Sequence, residues 1–433
     1  MATVAEASDA LTCDEAGIPE AADQPGVLGT SCILAATVAA TGVMQMPHAF
    51  AMTGWGLGLL VLAISALVHF YATRALLSYA ADANAKTWMS TVAKLGDKSS
   101  AVAAVVFSAY LFMSLMTCVN CLYDLLHGMM LANEPDAGLL CNNPTFLMLV
   151  CITISIALSL PRHIVDVRCA AAVSLLALVG YLAVMFGRQY YRVAGFTVNP
   201  AVFFITPGWR GIGVLKWLDG INRISSCFIF SFNLIPFEKR AGSASASTAS
   251  GILFVLLAAS GLLGYGLYGS SFGCSIGGAV AKDSFSFMQF ACVAIAIALV
   301  LQMPLLVIPL REALAEAFGF AASASVVQGR PKYLAISALL VLAACFFERA
   351  LAEQSVTVLA LVGYTLAPLV SPVVPAVLSI TSARLRRRPF TQRDVVSQDR
   401  SALHAILALL LGLELAGLSL LTSILRWGKI CTA

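Results

Sequence analysis

Two short stretches hold the residues best placed to do chemistry. Residues 40–55 read ATGVMQMPHAFAMTGW and set Gly42, Gln45, Pro47 and His48 inside an otherwise apolar run. Residues 227–240 read CFIFSFNLIPFEKR, where Ser231 and Asn233 interrupt an aromatic run and Pro236 follows Ser231 at the same five-residue spacing that separates Gly42 from Pro47. Proline has no N–H to donate and its ring clashes with the preceding turn, so a helix is expected to kink or unwind just before Pro47 and Pro236. Main-chain groups freed in this way can bind a solute without any catalytic side chain. The N–H groups that open a half-helix suit an anion, and the carbonyls that close one suit a cation.

Ionisable side chains in apolar runs are the other candidates, because an unpaired charge in hydrocarbon is costly and functional sites are where that cost is met. His48 follows Pro47, and histidine is the side chain whose ordinary range lies near neutral pH. Asp124 and His127 stand three apart on one helix face, Glu414 sits in LLLGLELAGLSLL, and Glu238 is followed by Lys239 and Arg240. His48, Glu238, Asp124 and Glu414 are therefore candidates for carrying a proton. Each has a structural alternative: an exposed pair at a helix end for Asp124 with His127, a local ion pair for Glu238, a hydrogen bond for Glu414. No phosphate-binding loop, HExxH or GxSxG occurs. The twelve cysteines show no two CxxC pairs at zinc spacing. Neither an enzyme nor a metal or other cofactor is expected, and no nucleic-acid partner.

The elements that must position these residues follow from composition. Of 433 residues 60% are hydrophobic and only 11% charged, with a mean hydropathy of +0.89. A surface this poor in charge requires a lipid bilayer as partner, and the fold class expected is an all-α integral membrane protein. Apolar runs long enough to span lie near 27–50, 56–80, 101–131, 145–161, 169–187, 212–237, 248–269, 285–309, 333–347, 355–380 and 402–425, giving about 11 transmembrane helices. Residues 1–26 hold six acidic and no basic residues. They lack the basic region of a signal peptide and are expected to be a disordered acidic cytoplasmic tail. That orientation puts the Arg cluster ARLRRRPFTQRD, residues 383–394, and most of the 26 Lys and Arg residues on the cytoplasmic side. It also puts Cys141 and Cys274 in loops on the opposite side, where a disulfide between them is expected.

The two proline-interrupted runs are the first and sixth, corresponding members of two five-helix halves. Interrupted segments so placed point to the binding site of a secondary transporter. Repeat one is expected over about 27–187, repeat two over about 212–380, and an extra helix over 402–425, all within one transmembrane domain, 27–433.

The pattern TGVMQMPHAFAMTGWGLG followed by a span ending YATRALL resembles the start of the amino acid/auxin permease family, within the amino acid/polyamine/organocation transporter superfamily. Its members typically show Gly-x-Gly-Ile-Leu-x-Leu-Pro-x-Ala and then Gly-Trp. Further matches are LPRHIVDV at 160–167, FSFNLIPFEK, MPLLVIPLREAL at 303–314 and LALVGYTLAPLVSPVVPAVL at 359–378. The resemblance implies a five-plus-five inverted-repeat fold with broken helices 1 and 6, a peripheral helix 11, and ion-coupled transport of amino acids by alternating access. The substrate site implied is the main chain of Ala39, Ala40, Thr41, Gly42 and Val43 with Phe230, Ser231, Phe232 and Asn233. Two departures bear on the coupling ion. Ala36 stands where sodium-coupled relatives often have Asn, and LVLQMP at 299–304 lacks the Thr or Ser found there. Sodium needs several oxygen ligands, as hard cations do, so protons as coupling ion, or facilitated transport, are favoured over sodium. The alternative function is an amino-acid-sensing membrane receptor with little transport. The expected membrane is the plasma membrane or that of a vacuole or lysosome.

Overall fold

The computed structural model describes residues 26–83, 85, 87–93, 97–132, 144–161, 167–192, 212–269, 280, 283, 287–317, 326–350 and 365–385, with 409, 412, 413 and 417 of the last span. Every regular element among them is helical. Numbering the spans in chain order, span 1 is Val27–Thr53, span 2 Trp55–Ala83, span 3 Asp97–Ala132, span 4 Pro144–Leu158 and span 5 Arg168–Arg192. Span 6 begins as Ile212–Ser226, span 7 is Glu238–Tyr268, span 8 Met288–Ala317 and span 9 Val326–Ala350; span 10 ends as Val374–Leu385. A short helix, Trp88–Ala93, lies between spans 2 and 3. Six of the described helices are long and apolar enough to cross a bilayer, as their sequence requires: in hydrocarbon a helix satisfies its own backbone.

Burial separates inner spans from outer ones. In the most apolar windows of spans 1 and 8, 72% of residues are buried, against 33% in span 5. Spans 1 and 8 therefore form the centre. Span 1 packs chiefly on span 7 and also on spans 5 and 6, while span 8 packs on spans 3 and 5. The outer faces are apolar in the way a lipid boundary demands: Leu60, Ile64, Leu67 and Tyr71 share one exposed stripe of span 2, and Val173, Leu176 and Val179 one of span 5.

Span 1 corrects the sequence expectation. It runs as one continuous α-helix through Pro47, and the predicted break before that proline is absent. The physical reason lies on another span. Pro47 has no N–H for the carbonyl four residues back, that of Val43. The Ser260 hydroxyl of span 7 donates to that carbonyl at 2.7 Å. Span 8 treats its two prolines the same way. At Pro304 the Val300 carbonyl lies 3.3 Å from the Ser155 hydroxyl of span 4, which shares its one hydrogen with the Cys151 carbonyl at 2.9 Å. Pro309 leaves that of Leu305 to the Asn233 side-chain amide at 3.1 Å. A helix keeps its proline when a neighbour supplies the missing donor.

Span 6 does break. After Ser226 the chain leaves the helix over Cys227–Phe230 and passes through two single 3₁₀ turns, Ser231–Asn233 and Ile235–Phe237. It then enters span 7 at Glu238, ten residues earlier than the apolar run suggests. Span 10 carries a third irregularity, a π turn at Leu369–Val373 around Pro372. Between spans 1 and 2 the chain reverses at Gly54 alone. Its φ of 84° lies where side chains are disfavoured, and its N–H closes span 1 on the Phe50 carbonyl at 2.8 Å.

Arg311, with 1% of its surface exposed, closes the end of span 4. Its guanidinium donates to the carbonyls of Ser159 at 2.8 Å and Pro161 at 2.9 Å, and to the Ser337 hydroxyl of span 9 at 3.2 Å. A cation suits the negative end of a helix, so this one side chain ties spans 4, 8 and 9 together.

Candidate functional site

The break in span 6 faces the middle of span 1. A Cβ placed on Gly42 would lie 2.8 Å from Leu257 Cδ2 of span 7 and 3.4 Å from Cys227 Sγ, so the glycine leaves room for both of these side chains against span 1. One residue earlier, the Thr41 N–H donates to Gln302 Oε1 at 3.1 Å, and Gln302 Nε2 donates to Thr41 Oγ1 at 3.1 Å. A side-chain amide of span 8 thus sits on the main chain of span 1, level with the broken segment.

Asn233 completes this layer. Its Nδ2 donates to Thr37 Oγ1 at 3.0 Å as well as to the Leu305 carbonyl, joining spans 1, 6 and 8. Ser231 is fully buried, and its hydroxyl has no partner among the described residues. A buried hydroxyl left this way in a break is placed to meet a ligand. Phe230 is fully buried; Phe232 packs edge-on to Phe107 at 5.7 Å and Tyr110 at 6.2 Å, and Phe107 stacks on Trp88 at 4.1 Å. Beside this cluster is a cavity of about 40 Å³, lined by Trp88, Phe107, Phe232, Asn233, Pro309 and Glu312 among others.

The structure thus brings Thr41, Gly42, Phe230, Ser231, Phe232 and Asn233 into one region. Ala39, Ala40 and Val43 are there too, fully buried. Their main-chain groups, however, belong to a continuous helix, so the open half-helix terminus expected at Gly42 is not presented. Pro236 lies in the second 3₁₀ turn and Glu238 is the first residue of span 7. His48 is half-buried on span 1. Asp124 lies at the far end of span 3, within electrostatic reach of Glu348 on span 9. There Tyr123 stacks on His127 at 5.8 Å and lies under the Arg349 guanidinium at 4.6 Å. That cluster is separate from the break. Glu414, Cys141 and Cys274 lie outside the described residues.

Four polar residues that the sequence did not single out take part. Gln302 stands in LVLQMP, where its side chain looked like a missing oxygen ligand instead of a hydrogen-bonding bridge. His69, in VHFYATR, is an ionisable residue inside an apolar run, a signal the sequence did offer. Asp219 and Arg223 form a buried ion pair at 3.2 Å in the half-helix above the break, hidden in the sequence among the polar residues of 216–223.

A helical membrane bundle with a mid-span break facing a central helix defines the class: a secondary transporter of the inverted-repeat type. The family model described as transmembrane amino acid transporter protein matches residues 24–406, and this chain belongs to that family. No curated protein matches it. Among solved structures, MhsT in complex with L-phenylalanine is similar with a TM-score of 0.53 at 12% identity, over 89% of this chain and 98% of that one. A Na⁺-coupled sialic acid symporter in a substrate-bound outward-open state has a TM-score of 0.48 at 13% identity, over 93% of this chain and 90% of that one. The first likeness shows the shared fold. The chain is an integral, multi-pass secondary transporter of amino acids with the five-plus-five fold, and the receptor alternative gains no support.

Proposed function

We propose that this transporter moves amino acids by alternating access about the layer where span 6 breaks against span 1, with protons as coupling ion or none, and not sodium. The observation that carries the reading is the pair of hydrogen bonds between Gln302 and Thr41. A side-chain carbonyl already occupies a main-chain N–H of span 1 at the level of the break, as a substrate carboxylate would. The amino acid displaces the Gln302 amide, its carboxylate taking the Thr41 N–H and hydroxyl. Its ammonium goes to carbonyls that end the first half of span 6 and to the unpartnered hydroxyl of Ser231. Phe230, Phe232 and Asn233 line the side-chain pocket. The preceding helix turn offers Ala36, Ala39 and Ala40, whose side chains supply no oxygen to a hard cation.

On this reading repeat one covers about 27–187 and repeat two about 212–380, residues 1–26 lie in the cytosol, and the protein is a transporter and not an enzyme. The Trp88, Phe107, Phe232 and Tyr110 stack then closes the cytoplasmic side of the site. The test is counterflow in proteoliposomes with labelled L-amino acids offered one at a time, followed by uptake under an imposed pH gradient and under sodium replacement. Counterflow without sodium dependence supports the proposal, and steep sodium dependence at fixed pH overturns it.

A further inference from the structure

His69 lies on span 2, with 2% of its surface exposed, in a segment that otherwise reads as plain membrane helix. Its Nδ1 is 2.6 Å from the Ser371 hydroxyl, which belongs to the π turn of span 10. Its ring stacks on Phe228 of the span 6 break at 6.3 Å and 22°. The Ser225 main chain, at the C-terminal end of the first half of span 6, also lies against it. One turn before His69, Ser65 and Ser225 exchange a hydrogen bond at 3.1 Å. A buried imidazole therefore touches two places where the described membrane helices depart from α geometry, and π turns of this kind recur at functional positions.

We infer that His69 is the proton-binding site of this transporter, its charge setting how the span 6 break and the span 10 π turn are held; this rests on the proton-coupled form of the function proposed above. In the tautomer with its proton on Nε2, neutral imidazole accepts from the Ser371 hydroxyl and donates with its other nitrogen. Imidazolium donates from both nitrogens, so Ser371 must turn and accept. Phe228 is next to Cys227, which abuts Gly42, and two residues before Phe230. A change at the ring reaches the substrate layer through one turn of irregular chain.

The elements packed around the ring carry other charged and titratable groups. Span 2 itself carries Arg74, whose guanidinium lies 5.8 Å over Phe70, and Asp82 near its end. Span 6 brings Lys216, the paired Asp219 and Arg223, and then Cys227. Span 7 brings Glu238, Lys239 and Arg240 at one end and Tyr265 and Tyr268 at the other. Span 1 brings His48, and span 10 Arg384 near its C-terminus.

The experiment uses the full chain in proteoliposomes loaded with a pH-sensitive dye, offered labelled L-amino acids one at a time. Wild-type protein should move protons inward with the amino acid and respond to a pH gradient. His69→Gln should lose both the proton movement and the gradient response while keeping counterflow. A wild type that moves no protons overturns the proton-coupled reading itself. A wild type that does, matched by an equally coupled His69→Gln, overturns the assignment of His69 alone. If His69→Gln also loses counterflow, Ser371→Ala decides. Losing a hydrogen bond to a group that changes charge should move the pH midpoint of uptake by about one unit, and an unmoved midpoint overturns the assignment.

Discussion

Ser260→Ala tests why span 1 stays helical through Pro47. Removing the hydroxyl leaves the Val43 carbonyl with neither its helical partner nor its substitute, in a position where Val43 and Ser260 are both fully buried. An unsatisfied buried acceptor costs about 1–3 kcal/mol. In a Pro47→Ala background the new N–H at position 47 can donate to the Val43 carbonyl, four residues back, and the same Ser260→Ala change should then cost under about 0.5 kcal/mol, the effect of deleting one buried hydroxyl whose acceptor has another donor. The coupling energy between the two substitutions is therefore about 0.5–3 kcal/mol, the range of residues sharing one hydrogen-bond network. Reversible unfolding of the four proteins in mixed micelles of increasing denaturing detergent measures it. Additive costs, equal for Ser260→Ala in both backgrounds, would refute the claim that Ser260 replaces the donor proline lacks.

Gly42→Leu should abolish uptake and counterflow while the protein still reaches its membrane, because a side chain there runs into Leu257 and Cys227 and forces the break away from span 1; normal uptake at normal surface expression would refute the close approach as a requirement. Gln302→Glu should hold a carboxylate on Thr41 in place of the substrate's. It should therefore block uptake at neutral pH and regain some as the carboxyl protonates in acid, and full activity at neutral pH would count against displacement of the amide. Arg311→Met should lower stability by about 2–3 kcal/mol in the same detergent assay, the cost of leaving buried acceptors unsatisfied, since the carbonyls of Ser159 and Pro161 lose their donor; a change under about 1 kcal/mol, the size of an ordinary surface effect, would show that the clasp is dispensable.

Much of the fold was legible because lipid leaves few choices. A run such as 288–317 has one way to satisfy its backbone in hydrocarbon, and its helix follows from composition. The break in span 6 was legible as well. Ser231, Asn233 and Pro236 weaken one short stretch together, and no helix forms across it. The gathering of residues 39–43 with 230–233 could be read from the matched positions of two interrupted runs, but its geometry could not.

Pro47 shows where reading along the chain stops. From sequence, proline removes a donor and a break follows; whether it follows depends on a hydroxyl 217 positions away reaching the stranded carbonyl. The same holds for Pro304 and Ser155, for Pro309 and Asn233, and for the contact of Gln302 with Thr41. Sequence determined that this chain lives in a bilayer, roughly where the described spans lie, and that span 6 cannot be one helix, because these depend on local apolarity and on what each segment does to its own backbone. Only the tertiary structure decided which polar side chain meets which freed main-chain group, because a hydrogen bond between spans depends on distances of a few ångströms that spacing along one helix does not contain.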